Sequence, residues 1–218
     1  TLKKSPHVRV MISLDGQRVD NKFRKFKNGK EVYHTVIRNI KVFQQNKIKI
    51  GIAALCLNHN VNRLSKIVRF FYKNLGIKYM GFNFPHFTKE KNLEVDMGRY
   101  TEEMINLFDF MVKNRIYIDQ IAKRFTPLIT KKFRFYACKL VGEQVTFYPD
   151  GTTTFCSKID TLPSAHKYNL DYFVRVLPIN NQFCTDCPAI GICGGGCFWD
   201  GLMRFEHGVD ERECILNK

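Results

Sequence analysis

The sequence predicts an α/β fold of about three βα units, followed by a small cysteine-rich region that contains a β-hairpin. Two observations support this prediction. Strand-like apolar runs alternate with stretches of helical apolar spacing in the first half of the chain, as in a parallel sheet with helical crossovers. Seven of the eight cysteines then fall in the last 81 of the 218 residues. We therefore expect two domains, over residues 1–125 and 126–218.

Three strands are predicted in the first domain. Residues 7–14 and 77–84 form short apolar runs that end at turn residues, as strands do. The run at 47–56 changes from alternating to continuously apolar, which is typical of a buried parallel strand. Three strands do not close a barrel, so we expect an open sheet with one exposed edge strand. Such a sheet is also what a piece of a longer barrel protein would form.

Three helices are predicted in the same domain. Apolar residues recur at helical spacing from Val32 onward and again over residues 98–113. Between these stretches, Asn60 is expected to cap the start of a second helix, and Gly76 is expected to end it. The alternation of strands and helices predicts parallel strands joined by right-handed crossovers.

The second domain is predicted to contain little regular structure. Pro149-Asp150-Gly151 separates two short β-like runs, which is a hairpin signal. One short helix is expected at residues 169–174, and turns elsewhere. A region with so little apolar periodicity needs another source of stability, and bound metal provides one.

Composition limits the class of protein. The net charge is +15, with 35 Lys and Arg against 20 Asp and Glu, which favours an acidic partner. These charges are scattered, and no aromatic–basic RNA motif or recognition helix is present, so we expect no nucleic-acid binding. No apolar run reaches the roughly 18 residues that cross a membrane, and no signal peptide is present. We therefore expect a cytoplasmic protein that does not bind membranes.

The cysteines are spaced like metal ligands. A Cys-x2-Cys pair begins a run of four cysteines, and three glycines separate the last two of them. Disulfides are disfavoured in the cytoplasm, so metal or redox chemistry is expected. Zinc is the main alternative to iron–sulfur clusters, but zinc ribbons usually use two such pairs, and seven cysteines do not divide into two four-thiolate sites. The ligand run is Cys138, Cys156, Cys184, Cys187, Cys193, Cys197 and Cys214.

This spacing resembles the seven-cysteine signature of SPASM domains, the auxiliary-cluster domains of radical S-adenosylmethionine (SAM) enzymes. The resemblance covers residues 138–214 and implies two auxiliary [4Fe–4S] clusters. It assigns three ligands to the first cluster, namely Cys138, Cys156 and Cys197. It assigns four to the second, namely Cys184, Cys187, Cys193 and Cys214. Residues 139–155 contain no fourth cysteine for the first cluster, and Cys56 is expected to be a small core residue.

The first domain resembles the second part of a radical SAM partial (β/α) barrel. The matching stretch is Ser13-Leu14-Asp15-Gly16 with the later Asp20, Arg24 and Gly29. By this likeness, Ser13 and Arg24 contact SAM. The Cys-x3-Cys-x2-Cys motif that holds the SAM-cleaving cluster does not occur in this sequence. The chain therefore resembles either the C-terminal portion of such an enzyme or a degenerate relative.

The resemblance implies a parent enzyme that modifies a peptide or protein after translation. The basic surface suits a substrate with an acidic leader, and a flavodoxin or ferredoxin is implied as reducing partner. The alternatives are a non-catalytic iron–sulfur or zinc module and a fragment of an anaerobic sulfatase-maturating enzyme. Ser157 stands where the latter usually carry an Asp, which counts against that branch. No catalytic residue is assigned, although acid–base candidates exist, namely Asp15, Asp160, His166 and Asp200.

Overall fold

The computed structural model describes residues 9–88, 90, 93–139, 143–162, 167–205 and 207–217. The chain divides into two compact units, Thr1–Lys123 and Arg124–Lys218. Among the described residues, no helix combines the length and the apolar character that a membrane crossing requires.

The first unit is built on a parallel four-stranded sheet. Its strands are β1 (Arg9–Ser13), β2 (Lys49–Leu55), β3 (Tyr79–Asn83) and β4 (Tyr117–Ile118), and they are hydrogen-bonded in that order. The three predicted parallel strands are confirmed with shorter bounds, and the first residues predicted for β1 lie outside the described residues. The sequence analysis missed β4, because two residues give no measurable alternation of apolar and polar positions.

Helical crossovers join the strands, as the alternating pattern predicted. They are α1 (Tyr33–Gln45), α2 (Leu64–Lys73) and α3 (Met97–Asn114). The apolar stripe of α2 is fully buried, which explains the strong helical periodicity of its sequence. Gly76 ends this helix as predicted, with φ of 64° and its N–H donated to the carbonyl of Tyr72 at 3.1 Å.

The capping role predicted for Asn60 is wrong. The residue precedes a 3-10 turn, Val61–Arg63, and its side chain makes no cap hydrogen bond to that turn. Instead, its amide oxygen accepts the N–H of Leu57 at 2.8 Å, and its amide nitrogen donates to the carbonyl of Leu55 at 3.0 Å. A buried amide can satisfy its donors and acceptor more fully on the loop that leaves β2 than on a helix start. Asn60 therefore shapes the end of a strand.

A fourth helix, α4 (Asp119–Thr130), was not predicted. It begins in the first unit and ends in the second, and Pro127 lies inside it. A proline that far along a helix removes one backbone hydrogen bond and usually argues against a helix. Several of its apolar side chains are also exposed, so apolar and polar residues do not separate clearly into a buried and an exposed face.

The second unit contains the predicted hairpin and more helix than expected. The hairpin consists of β5 (Thr146–Phe147) and β6 (Thr153–Thr154), which are antiparallel across the Pro-Asp-Gly turn. The predicted short helix is α5 (Leu170–Arg175), capped by the side chain of Asn169. The expectation of turns elsewhere is wrong at α6 (Phe198–Phe205) and α7 (Arg212–Leu216). These two helices are too short for their periodicity to be detected in a window of 11 or more residues.

Candidate metal centres and cofactor site

Four cysteines of the second unit line one cavity. The cavity has a volume of about 130 Å³ and is otherwise mainly apolar, with Pro178, Ile190 and Val209 among its walls. The four cysteines belong to three different segments of the chain that meet at this cavity. They are Cys184, Cys187, Cys193 and Cys214.

Local backbone geometry brings these thiols together. Cys184 closes a 3-10 turn, and the N–H of Cys187 donates to the carbonyl of Cys184 at 3.1 Å, so the pair shares one tight turn. The N–H of Cys193 donates to the carbonyl of Ala189 at 3.0 Å, which folds the following loop back toward the pair. Cys214 lies in the middle of α7. Two turns and one helix thus supply the four sulfur atoms.

The cavity disfavours the ionised thiolate form of the buried cysteines. Burial, together with the neighbouring Cys193 and Cys187, raises the pKa of the Cys184 thiol to about 11. Burial also raises the pKa of Cys193 to about 11, against the opposing effect of the Gly195 N–H. Several thiolates sharing a site repel one another unless a cation lies between them. A bound metal centre would supply that positive charge and displace the protons.

A triplet of glycines supports both sets of cysteines. Gly194, Gly195 and Gly196 have φ of 71°, 79° and 72°, a conformation that other residues rarely adopt. The N–H of Gly195 donates to the sulfur of Cys193 at 3.3 Å. Hydrogen bonds of this kind to ligand sulfurs help to set the reduction potential of a cluster.

The three cysteines assigned to the first cluster lie on three separate segments of the second unit. All three are partly exposed. Cys138 lines a separate cavity of about 30 Å³ beside the glycine triplet, and Cys156 and Cys197 are not among the residues that line it. Cys197 lies directly before α6, and Cys156 follows the hairpin. Among the described residues, the four cysteines assigned to the second cluster thus line one cavity, whereas the three assigned to the first lie on separate segments.

Cys56 is a core residue, as expected. It follows β2, is 1% exposed, and its N–H donates to the carbonyl of Asn83 at 2.7 Å. Burial raises the pKa of its thiol well above the usual range, and the charge of Asp15 raises it further. The residue is thus a protonated, enclosed thiol.

We predict that Cys56 resists thiol reagents in the native protein. Because thiolate is the reactive species and the pKa of Cys56 is raised, the thiol stays protonated at about pH 8 and unreactive. In metal-free protein treated with iodoacetamide, peptide mass spectrometry should find Cys187 and Cys214 modified and Cys56 unmodified. In urea, Cys56 should react as well. Equal rates at Cys56 and Cys187 under native conditions would contradict this account.

In the first unit, the predicted cofactor residues lie at the carboxyl end of the sheet. Ser13 ends β1 and is exposed. Arg24 donates from Nε and Nη2 to the two carboxylate oxygens of Asp15, each at 2.7 Å, and Asp15 is 5% exposed. The N–H of Leu55 also donates to Asp15 at 2.8 Å. Both oxygens of Asp15 are therefore engaged, so its role here is to orient Arg24 rather than to move protons.

The other acid–base candidates also have structural contacts. Asp160 accepts hydrogen bonds from the hydroxyls of Tyr148 and Thr154, at 3.0 and 2.9 Å, and so holds the hairpin. His166 lies outside the described residues. Asp200 is 2% exposed and forms an ion pair with Arg212, at 3.2 Å. These contacts indicate a structural role for Asp160 and Asp200.

Sequence reasoning missed the ion network to which Asp200 belongs. Arg212 donates to both carboxylate oxygens of Asp210, at 2.8 and 2.7 Å, and contacts Asp200 as well. All three side chains are buried. This arginine begins α7 and lies two residues before Cys214, so the network fixes the helix that carries a cavity thiol. The only signal in the sequence was the placement of charged residues beside a cysteine.

Comparison with known proteins gives few sequence relatives. No protein-family model matches the chain. The uncharacterized protein MJ0907 of Methanocaldococcus jannaschii is 26% identical over 121 residues, which are 56% of this chain and 41% of that protein. The chain thus spans less than half the length of this curated relative.

Solved structures match much more of the chain. The structure of anSMEcpe with bound AdoMet has a TM-score of 0.75 and 18% identity, and the match covers 99% of this chain and 66% of that one. SuiB of Streptococcus suis bound to S-adenosylmethionine has a TM-score of 0.60 and 15% identity, covering 97% and 55%. A structure of anSMEcpe with a bound Cp18Cys peptide has a TM-score of 0.69 at 18% identity, covering 91% and 61%. At such identities the likeness establishes the fold alone: this chain has the α/β fold of anSMEcpe and SuiB.

Proposed function

We propose that the second unit holds two auxiliary [4Fe–4S] clusters and that the chain belongs to an enzyme that modifies a peptide or protein by radical SAM chemistry. Cys184, Cys187, Cys193 and Cys214 bind one cluster. The other cluster is bound by Cys138, Cys156 and Cys197. When bound, these clusters supply electron transfer and an iron site open to a further ligand at the three-cysteine centre.

The size of the four-thiol cavity carries this proposal. A zinc ion holds each thiolate sulfur about 2.3 Å away, which draws four sulfurs together and leaves no space between them. Here the cavity that the four cysteines line, together with six other residues, has a volume of about 130 Å³, whereas a single water needs only about 10–15 Å³. A polynuclear centre fills such a space better than one ion does. The Gly195 N–H on the sulfur of Cys193 is also of the kind that tunes a cluster.

The carboxyl end of the first sheet supports SAM binding by Ser13 and Arg24. In the described part of the chain, Nε and Nη2 of Arg24 are held by Asp15, and Nη1 has no protein partner. A guanidinium fixed on one side presents its remaining N–H groups to a carboxylate or ribose hydroxyl without further loss of side-chain entropy. The hydroxyl of Ser13, exposed at the end of β1, offers a second polar contact. Ligands of parallel sheets bind at this edge.

The partners follow from this chemistry. The substrate is a peptide or protein, and the structure of anSMEcpe with the Cp18Cys peptide supports a peptide. An electron donor such as a flavodoxin or ferredoxin reduces the clusters.

Ligand variants test the two-cluster assignment. After anaerobic reconstitution, Cys184→Ser and Cys156→Ser should each lose about four of about eight iron atoms per chain, because each removes a ligand of a different cluster. The electron paramagnetic resonance spectrum of each reduced variant should retain only the other cluster's signal. Cys56→Ser is the matched control and should keep all of the iron. A Cys184→Ser variant with the full iron content and both signals would contradict the assignment.

A further inference from the structure

The positive charge of the chain is concentrated in the first unit. Residues 1–123 contain 24 Lys and Arg against 10 Asp and Glu, whereas residues 124–218 contain 11 against 10. Almost the whole net charge of +15 therefore belongs to the unit that contains the parallel sheet. The cysteine-rich unit is close to neutral. Any attraction of an acidic partner must come mainly from the first unit.

Within this unit, a basic loop follows β1. We define it as residues 18–31. It contains six Lys and Arg against two acids, Asp20 and Glu31, and both acids are already paired, with Arg63 and Arg18 respectively. The cations of the loop that form no ion pair in the described part of the chain are Lys22, Lys25, Lys27 and Lys30.

Apolar side chains are exposed among these cations. Val19, Phe23 and Phe26 are 63%, 53% and 45% exposed. The ammonium of Lys22 lies 4.9 Å from the centre of the Phe23 ring. A concavity of about 280 Å³ opens beside them, with Val19, Lys22 and Tyr33 among the residues that line it. Exposed apolar side chains that are grouped together and surrounded by polar residues are typical of interaction surfaces.

The basic loop is held in one conformation. The amide nitrogen of Asn21 donates to the carbonyls of Gly16 and Gln17, at 3.0 and 2.7 Å. The N–H of Phe26 donates to the carbonyl of Lys30 at 2.8 Å, and a β-bridge links Lys25 with Glu31. A preorganised surface loses little conformational entropy on binding, so its contacts contribute more fully to affinity.

We propose that the basic loop binds an acidic peptide segment that also carries apolar side chains. Lys22, Lys25, Lys27 and Lys30 attract its carboxylates, and Val19 and Phe26 contact its apolar side chains. The inference rests on the proposed function in one respect, that the substrate is a peptide, and it identifies where the acidic part of that substrate binds.

Fluorescence anisotropy with a defined probe tests the proposal. The probe is a labelled peptide of about twelve residues that alternates Glu and Leu, titrated with the reconstituted full chain. We expect binding that weakens as salt rises from about 50 to about 300 mM. Lys22→Glu/Lys27→Glu should weaken binding about tenfold or more, because two attractive charges become repulsive. Val19→Ser/Phe26→Ser should weaken it about fivefold or more, and should not change the salt dependence.

A matched charge reversal is available at the opposite end of the sheet. Lys73 and Lys113 are exposed in the last turns of α2 and α3. Lys73→Glu/Lys113→Glu changes the net charge by the same amount and should alter affinity less than about twofold. Equal weakening by the two double variants would overturn the proposal, since the attraction would then be that of the whole surface. Tighter binding of an oligothymidine of the same length, lost in Lys22→Glu/Lys27→Glu, would overturn it in favour of nucleic acid.

The outcome can be separated from that of the proposed function. The basic loop and the cysteines belong to different units, so each peptide titration is repeated on metal-free protein. Binding that persists without iron, in a protein that reconstitutes only with zinc, would keep this inference and contradict the clusters. Full iron content without peptide binding would keep the clusters and contradict this inference.

Discussion

Gly194→Ala is expected to lower the free energy of unfolding by about 3 kcal/mol and to prevent assembly of the first cluster. About 1 kcal/mol comes from the left-handed backbone, with φ of 71°. The rest comes from overpacking, because a Cβ atom at this position would lie 2.6 Å from the backbone of Tyr136 and Ala137. Neither backbone segment can move without breaking the hydrogen bond from Ala137 N–H to the Gly194 carbonyl. Cys138, a proposed ligand of the first cluster, directly follows Ala137, so a shift of this segment would displace that ligand.

Gly151→Ala provides the control for this experiment. Gly151 has a similar φ, 86°, but among the described residues nothing lies within 4 Å of the Cβ position. It should lose only about 1 kcal/mol, the cost of the backbone conformation. Urea unfolding of both metal-free variants gives the two values, and iron analysis after reconstitution gives the effect on the clusters. Equal destabilisation, with full iron in both variants, would show that the packing at Gly194 is not tight.

Arg212→Met is expected to destabilise the second unit by about 3–5 kcal/mol, since it leaves the buried carboxylate of Asp210 without its cation and removes one of the two arginines that pair with Asp200. Arg212 is 6% exposed, and its partners Asp200 and Asp210 are 2% and 1% exposed. In the variant, burial should then favour the protonated form of the Asp210 carboxyl group. The variant should therefore regain part of its stability as the pH falls toward about 5.

The matched control is Arg18→Met. Arg18 pairs with Glu31 in the first unit at 2.8 Å, but both side chains are more than half exposed, so solvent screens the pair and the midpoint of unfolding should not change. Thermal unfolding at several pH values compares the two variants. An Arg212→Met protein as stable as the parent, or one that loses stability on acidification as the parent does, would contradict the role of the buried network.

The sequence predicted those strands and helices in which apolar residues recur at the spacing typical of the element. Strands β1 to β3 and helices α1 to α3 were identified because apolar residues recur along them at regular spacing, although no residue of β1 is buried. Strand β4 has two residues, and α4 contains Pro127, so neither has such a pattern. Asn60 was misassigned because nothing in the local sequence distinguishes a side chain that caps a helix from one that bonds back to a strand.

For the site, cysteine spacing was informative and charge was not. The four cysteines that the SPASM resemblance groups together line one cavity, and their binding of a cluster stays a prediction. Pairing of Arg212 with Asp200 was invisible in the sequence, because it depends on how α6 packs near α7. The excess of Lys and Arg in the basic loop can be counted from the sequence. The boundary between a basic first unit and a nearly neutral second unit, however, comes from the two compact units of the structure.

The measurement that tests the central claim most directly is the metal content of the anaerobically reconstituted protein, with its spectrum after reduction. We predict about eight iron and about eight sulfide per chain, reducible signals from two [4Fe–4S] clusters, and negligible zinc. One or two zinc ions per chain without a reducible cluster signal, from protein offered iron, sulfide and zinc together, would contradict the account.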